Sequence, residues 1–499
     1  MNLLKDDFIS TTQGKVSLKT ILTGEQNYQL QYYFDEIQLA MLQLLSSLST
    51  VLLRPTIADL KGYLKNGLTP EQYESALDKV ESQWFENDCF MQSKPPANAK
   101  WPSAPITKLL SGIECGTSAN AMGLFSEIEK TEISCTDCVH VLNYNLHMNI
   151  KGECFGPSGA TGIRGGGAIS TLIAGENLKQ TLLNNTIAKD YFNDYAQLDS
   201  NAESRPMWVA PLSGIVYQAS KIGLDRGLFA LAYHIAFNVE NKPCLCDICG
   251  TESLQSVKTF NREKYKGNYG STKNGRESGA SWWPHPYTPR TIKEDGAFAV
   301  CARDQNWQSW QELGSYIVGK ETDKATVEPA YIIKQFQYMK TPRQSNLLVG
   351  GNIADQGGIT GRVYDLYSMP SSLNKHLSKV TQVLDSGLDQ KNRLSQAFNK
   401  MFGAGYDKHF VGGIKENAMY RFSANAQQII QRTLLDVERK EASELRKTAV
   451  SELKQEAQRI FMGVQRKYQH DLPLFKALVK GESTLYKKQE SDFLLKEEG

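Results

Sequence analysis

The sequence is short of several things that would assign a function at once. Net charge is one: 56 Lys and Arg stand against 54 Asp and Glu in 499 residues, leaving +2. No global field draws a polyanion, which excludes a histone-like or tail-driven nucleic-acid binder but not binding through locally placed charge. Cysteine is sparse and irregularly spaced, nine in all, which excludes a disulfide-stapled secreted module. No apolar run reaches the roughly twenty residues of a membrane span. The longest uncharged stretch, 37–53, carries Gln38, Gln43, Ser46, Ser47, Ser49 and Thr50 and reads as a buried helix. The opening Met1-Asn2-Leu3-Leu4-Lys5-Asp6-Asp7-Phe8 places acidic side chains where a signal peptide needs its apolar core. A reducing, cytoplasmic location without membrane association is the expectation.

Catalytic motifs are also missing. There is no His-Glu-x-x-His, no phosphate loop ending Gly-Lys-Ser/Thr and no Gly-x-Ser-x-Gly elbow. The seven histidines, at 140, 147, 234, 285, 376, 409 and 470, do not fall at helical metal spacing. His285 lies in the proline-rich Trp282-Trp283-Pro284-His285-Pro286-Tyr287-Thr288-Pro289, whose aromatic residues suit a core or an interface better than catalysis. The chain is not expected to be an enzyme.

What is present divides the chain in two. The length suits two to four domains. Residues 1–366 read as a large, irregular, mixed α+β body. It has a weak strand pattern in the first thirty residues, a core helix from Asp35 and a helix opened by Thr69-Pro70-Glu71-Gln72. Helical signals are poor across 105–180; residues 169–173 suggest a strand and 178–192 one helix, while 297–301 and 331–338 suggest further strands. The glycine-rich stretch 350–358 and the charged 268–281 read as loops. Residues 367–499 read as a C-terminal four-helix bundle, with helical spacing over 371–402, 415–439, 442–468 and 472–495. Leu373, Leu377, Val380 and Val383 carry a buried stripe, and Gly412-Gly413 marks a turn. Basic pairs in these helices, such as Arg446-Lys447, alternate with glutamates, so they suit either a solvated face or contact with a neighbour.

Cys135-Thr136-Asp137-Cys138 and Cys246-Asp247-Ile248-Cys249 are two Cys-x-x-Cys knuckles. Four soft thiolates match the tetrahedral preference of Zn2+ and leave no open position, so the possible zinc-knuckle element would be structural. Unliganded knuckles and a redox pair remain alternatives, the latter disfavoured because neither knuckle precedes a clear helix. Cys244 could replace a ligand.

Three segments could meet a phosphate backbone. Phe155-Gly156-Pro157-Ser158-Gly159-Ala160-Thr161-Gly162-Ile163-Arg164 offers bare amides and a cation, though a plain structural loop reads equally from it. The stretch Phe260-Asn261-Arg262-Glu263-Lys264-Tyr265-Lys266 places bases beside aromatics, or is a solvated polar segment. The 350–358 loop would carry Gln356 at its tip.

These segments occur together, in order, with Cys89-Phe90-Met91-Gln92-Ser93-Lys94, Lys108-Leu109-Leu110-Ser111-Gly112, Asp225-Arg226-Gly227-Leu228-Phe229 and Trp283-Pro284-His285-Pro286. In that combination, over nearly its whole length, the chain resembles the CasA family, the large subunit of the bacterial type I-E CRISPR Cascade complex. The resemblance implies a non-enzymatic subunit that reads the protospacer-adjacent motif (PAM) of invading double-stranded DNA through the minor groove. It further implies duplex opening, R-loop formation by a guide crRNA held with the other Cascade subunits, and docking of a helicase-nuclease. Gln356 matches the family's wedge, Lys264 its minor-groove lysine, and Gly156, Ser158 and Gly159 fall on its glycine loop. Asp355 and Gly357 flank the wedge, and Cys135, Cys138, Cys246 and Cys249 match its metal knuckles. Departures stand at Asp355, where the family carries asparagine, at Gly357, where it carries a small side chain, at Pro157 and Ser158, and in 268–281, which resembles an insertion. The competing reading is a zinc-containing RNA-binding or assembly scaffold with no DNA readout of its own.

Overall fold

The computed structural model describes residues 1–111, 131–149, 160, 162–164, 168–212, 216–265, 268–269, 283–293, 298–299, 307–322, 325–340, 345–355, 358–369 and 373–486. The chain forms two compact units. One comprises Met1–Gln305, Gly319–Thr341 and Ser345–Leu366; the other comprises Asn306–Val318, Pro342–Gln344 and Tyr367–Gly499.

The larger unit opens with a hairpin of β1 (Ile9–Thr11) and β2 (Gly14–Val16), followed by α1 (Leu18–Thr23), α2 (Asp35–Leu53), α3 (Ile57–Asn66) and α4 (Pro70–Leu77). Then come β3 (Ser103–Pro105), β4 (Ser134–Cys135), α5 (Cys138–Met148), β5 (Ser170–Ala174), α6 (Leu178–Asn185) and α7 (Lys189–Ala196). The chain continues through β6 (Val216–Tyr217), α8 (Leu224–Leu228), β7 (Tyr233–Glu240), β8 (Cys244–Leu245), β9 (Glu252–Ser253), β10 (Ser256–Lys264) and β11 (Asn268–Tyr269). Strands β12 (Arg290–Lys293) and β13 (Phe298–Ala299) precede α9 (Leu313–Ile317) of the second unit. The first unit ends with β14 (Lys320–Thr322), β15 (Ala325–Glu328), α10 (Tyr331–Met339), β16 (Ser345–Asp355) and most of β17 (Gly358–Met369). The second unit holds α11 (Leu373–Asn399), α12 (Lys408–Leu434), α13 (Ala442–Lys467) and α14 (Leu472–Tyr486).

The body has many small sheets. β10 is central to one, pairing with β3 and β4 along its length and with all of β7. Another runs β17–β16–β5, and a third β13–β12–β15–β14. Helix α2 passes through the body, and its Gln43, Ser46, Ser47 and Ser49 are buried along with most of its leucines. It is long and apolar enough to cross a membrane, but here it is a core helix. Ser49 and Thr50 donate to the carbonyls of Leu45 and Ser46 within the helix, and the Ser47 hydroxyl lies 3.4 Å from the Tyr144 hydroxyl. Helix α4 starts at the expected cap: Thr69 accepts from the Gln72 amide, and Gln72 accepts from the Thr69 amide.

Several expectations are corrected. Residues 178–192 form two helices, because Thr186 leaves the helix and the next amides find tertiary acceptors: Ile187 N donates to Thr50 Oγ1, and Ala188 N to Gln335 Oε1. Residues 331–338 are helical, with Ile332, Ile333, Phe336 and Met339 buried at helical spacing. Helix α5, all of it buried, occupies a stretch that reads poorly as helix, and Cys138 is its first residue. Gly350 to Asp355 is strand. A Cβ on Gly350 would lie 2.7 Å from Leu39 Cδ2, so glycine lets β16 press against α2. Asn268–Tyr269 is paired strand, anchored by the Tyr269 hydroxyl, which donates to the Leu231 carbonyl at 2.6 Å. Gly412 and Gly413 lie inside α12, whose true start is capped by Asp407 accepting from the His409 and Phe410 amides. The mixed α+β body and the cluster of long packed C-terminal helices are as expected.

Candidate metal centre and nucleic-acid interface

The two knuckles are brought together by strand pairing. Cys135 ends β4 opposite Ser256 of β10, and Cys246 and Cys249 lie in the turn joining β8 and β9. All four thiols are buried, and their sulfur atoms lie within 4.8 Å of one another. Cys135 and Cys249 are 4.0 Å apart, sulfur to sulfur. A zinc ion with Zn–S bonds of about 2.3 Å requires tetrahedral edges of about 3.8 Å. Amide donors serve the sulfurs: Cys135 N donates to Cys246 Sγ at 3.2 Å, and Cys138 N to Cys135 Sγ at 3.4 Å. The Asp247 carboxylate accepts the Glu132 and Ile133 amides, clipping the second knuckle to the segment that leads into the first. Gly250 has φ of +72°, and a Cβ there would collide with the Tyr33 hydroxyl, so the turn requires glycine. Four packed thiols cannot all ionise without a cation among them. The donor set, burial and spacing fit a closed, structural Zn2+ site. Cys244 stays outside it, half-buried, with its sulfur toward the Gln255 carbonyl.

Of the residues expected at DNA, Lys264 is exposed at the end of β10, opposite Tyr233. Beside it Tyr265 stacks on His234, ring centroids 4.2 Å apart. Asp355 is the last residue of β16, and β17 begins at Gly358. Gln356 and Gly357 lie between them, outside the described residues, as do Gly156, Ser158 and Gly159.

Arg164 is a correction. It was expected to offer its cation to phosphate, yet it is 4 % exposed and its donors are used internally. Its Nε donates to Thr288 Oγ1 at 2.8 Å, Nη2 to Ser170 Oγ at 2.7 Å, and Nη1 to the Met148 carbonyl and to Asn149 Oδ1. Burial pulls its pKa down to about 10. Arg164 holds the body together from inside.

It belongs to a buried polar group that sequence reading missed. Glu36, 5 % exposed in the first turn of α2, accepts the Ser111 amide on both carboxylate oxygens at 3.1 Å, Arg362 Nη2 at 3.2 Å and Asn145 Nδ2 at 3.4 Å. Burial raises its pKa, and the Arg362 guanidinium opposes the rise. Arg362 also donates to Asp35 Oδ1 at 2.5 Å and to the Ser111 carbonyl at 3.3 Å. Asn149 donates to Asn145 Oδ1 and to Gln43 Oε1, and so joins Glu36 to Arg164. The sequence signal was Glu36 and Gln43 on the leucine-rich α2. The buried histidines suit no general base: burial pulls His140 and His147 down to about 3.

With this geometry in view, residues 2–460 match the family described as CRISPR-associated protein Cse1. The fold is similar to that of Thermus thermophilus CasA (Cse1), at 15 % identity and a TM-score of 0.69, covering 100 % of this chain and 99 % of that one. Thermobifida fusca Cse1 is similar at 14 % identity and a TM-score of 0.67, with 97 % of both chains covered. A chain of a CRISPR RNA-guided surveillance complex matches at 12 % identity and a TM-score of 0.64, covering 98 % of this chain and 99 % of that one. At such identities the structures establish a shared fold.

Proposed function

The chain belongs to the CRISPR-associated Cse1 family, and from that premise we propose that it is the PAM-reading large subunit of a type I-E Cascade surveillance complex. It acts as a non-enzymatic subunit. The observation that carries the reading is the pair of long strands β16 and β17, which leave only Gln356 and Gly357 between them. A glutamine at that position is suited to enter a base step and offset lost stacking, which nucleates opening. Lys264, exposed at a strand end, supplies a cation for the acceptor-rich minor groove. The glycines at 156 and 159 permit close approach to the duplex. Minor-groove reading separates mainly A·T from G·C, so the protein senses a short motif while guide pairing reads the long sequence. The crRNA and the other Cascade subunits are its standing partners, and a helicase-nuclease docks after the R-loop forms. The zinc clip holds the body that carries these elements. Asp355, a carboxylate that accepts but does not donate, shifts PAM preference away from that of an asparagine.

Gln356→Ala and Lys264→Ala in the reconstituted complex test the reading. Duplex binding and R-loop formation should fall while copurification with guide RNA and the other subunits survives. Loss of assembly with no separate DNA defect would favour the scaffold reading instead. A PAM library compared between wild type and Asp355→Asn should give different profiles; identical ones would remove Asp355 from the determinants of preference.

A further inference from the structure

The buried polar group joins places that the sequence holds far apart. Ser111 is the last described residue before segment 112–130, and Asn149 the last before the segment carrying Gly156, Ser158 and Gly159. Asn352 and Arg362 stand on β16 and β17, on either side of Gln356. Asn352 Nδ2 donates to Ser111 Oγ at 3.0 Å, and Arg362 reaches the Ser111 carbonyl and Glu36. From Glu36 the chain of bonds runs through Asn145 and Asn149 to Arg164. A carboxylate buried at such a junction is costly unless its partners are held in place, and its directional bonds in turn hold them. An apolar core would stabilise the body without fixing the register of these roots.

We infer that Glu36 and Arg362 are positioning residues for DNA opening: they fix the roots of the strand pair that carries Gln356 to the roots of the segments leaving at Ser111 and Asn149. The inference rests on the DNA-reading proposal above, and it assigns the work of alignment to side chains that do not touch DNA.

The test uses the whole reconstituted complex with Glu36→Gln/Arg362→Met, which removes the two buried charges together and leaves Asp35, 41 % exposed, to solvent. Opening is read from 2-aminopurine fluorescence at the base step beside the PAM, and initial duplex affinity is measured separately. Opening should slow about tenfold or more, the weight of a lost charge-assisted hydrogen bond. Initial affinity should stay within about twofold. A purely structural role would not split the two readouts. Ser111→Ala, which removes only the hydroxyl bound by Asn352, is the milder variant should the double variant not assemble; it should slow opening about fivefold. Gln356→Ala, with the buried group intact, is the control. If it abolishes opening while the assembled network variants open at the wild-type rate, the inference is overturned and the DNA reading stands. If Gln356→Ala leaves opening unchanged, both fall.

Discussion

In the helical unit, Val380, Val383, Leu384, Leu394 and Phe398 are all buried along a single helix of 27 residues. Phe398 packs on Phe461, ring centroids 4.9 Å apart, and Trp310 Nε1 donates to the Ser423 carbonyl at 2.9 Å. The body is held otherwise. Its strands are mostly short, and decisive bonds join residues far apart in the chain: Cys135 with Cys249, Asn352 with Ser111, Arg362 with Asp35. A stripe spreads its stabilisation over many similar contacts. A clip concentrates it, so a single change in the body should remove more order than one in the bundle.

Removing the metal is the strongest way to break that contrast. Structural zinc supplies on the order of 10 kcal/mol in small zinc domains, which bounds its contribution here. Chelation or Cys246→Ser should abolish the cooperative melt of the body while far-UV dichroism still reports the long helices. Zinc content by mass spectrometry should fall in parallel. A body that melts unchanged after complete zinc loss would mean that strand pairing alone holds the knuckles.

Phe398→Ala tests the other side. Truncating a fully buried phenylalanine costs about 3–5 kcal/mol. The expected result is a lower melting transition for the helical unit with the zinc stoichiometry unchanged. Loss of zinc in this variant would show that the two units do not keep separate ledgers of stability.

The same contrast explains what could be read from the sequence. The four long helices and α2 were legible because their apolar residues recur at a period the chain imposes locally. The cysteine knuckles were legible because their spacing carries its own chemistry. Residues 331–338 misled because Ile332-Ile333 is β-branched, and the period appears only when Phe336 and Met339 are added. The stretch 350–355 misled because Gly350 answers to Leu39 and Gly351 to Ala168 and Ile169, on other segments, rather than to a turn. Arg164 looked like a surface cation, since nothing near it in sequence names Ser170 Oγ, Thr288 Oγ1 and Asn149 Oδ1 together as its acceptors. Glu36 was hidden for the same reason. Long-range polar contacts leave no period.

The smallest effect separates the units by acid. Buried His140 and His147 in the body are held neutral down to about pH 3 by desolvation, and burial lowers His285 as well. The helical unit's His376, His409 and His470 all reach solvent at least in part. Once unfolded, the body's histidines take up protons near pH 6.5, so between that value and about 3 the unfolded state binds more protons. Stability of the body is therefore complete above about pH 6.5 and is lost as pH falls. Burial raises the carboxyls of Glu36 and Asp225, which works in the opposite direction as the carboxylate range is approached, so the slope is best read just below neutrality. Replacing one buried histidine, His140→Gln, should flatten the dependence by about 0.7 kcal/mol per pH unit at pH 6.5, rising toward about 1.4 a unit lower. Denaturant melts at a series of pH values measure it. An unchanged slope in the variant would mean that His140 exchanges its proton freely in the folded body, and that its contact with Asn87 does not exclude water.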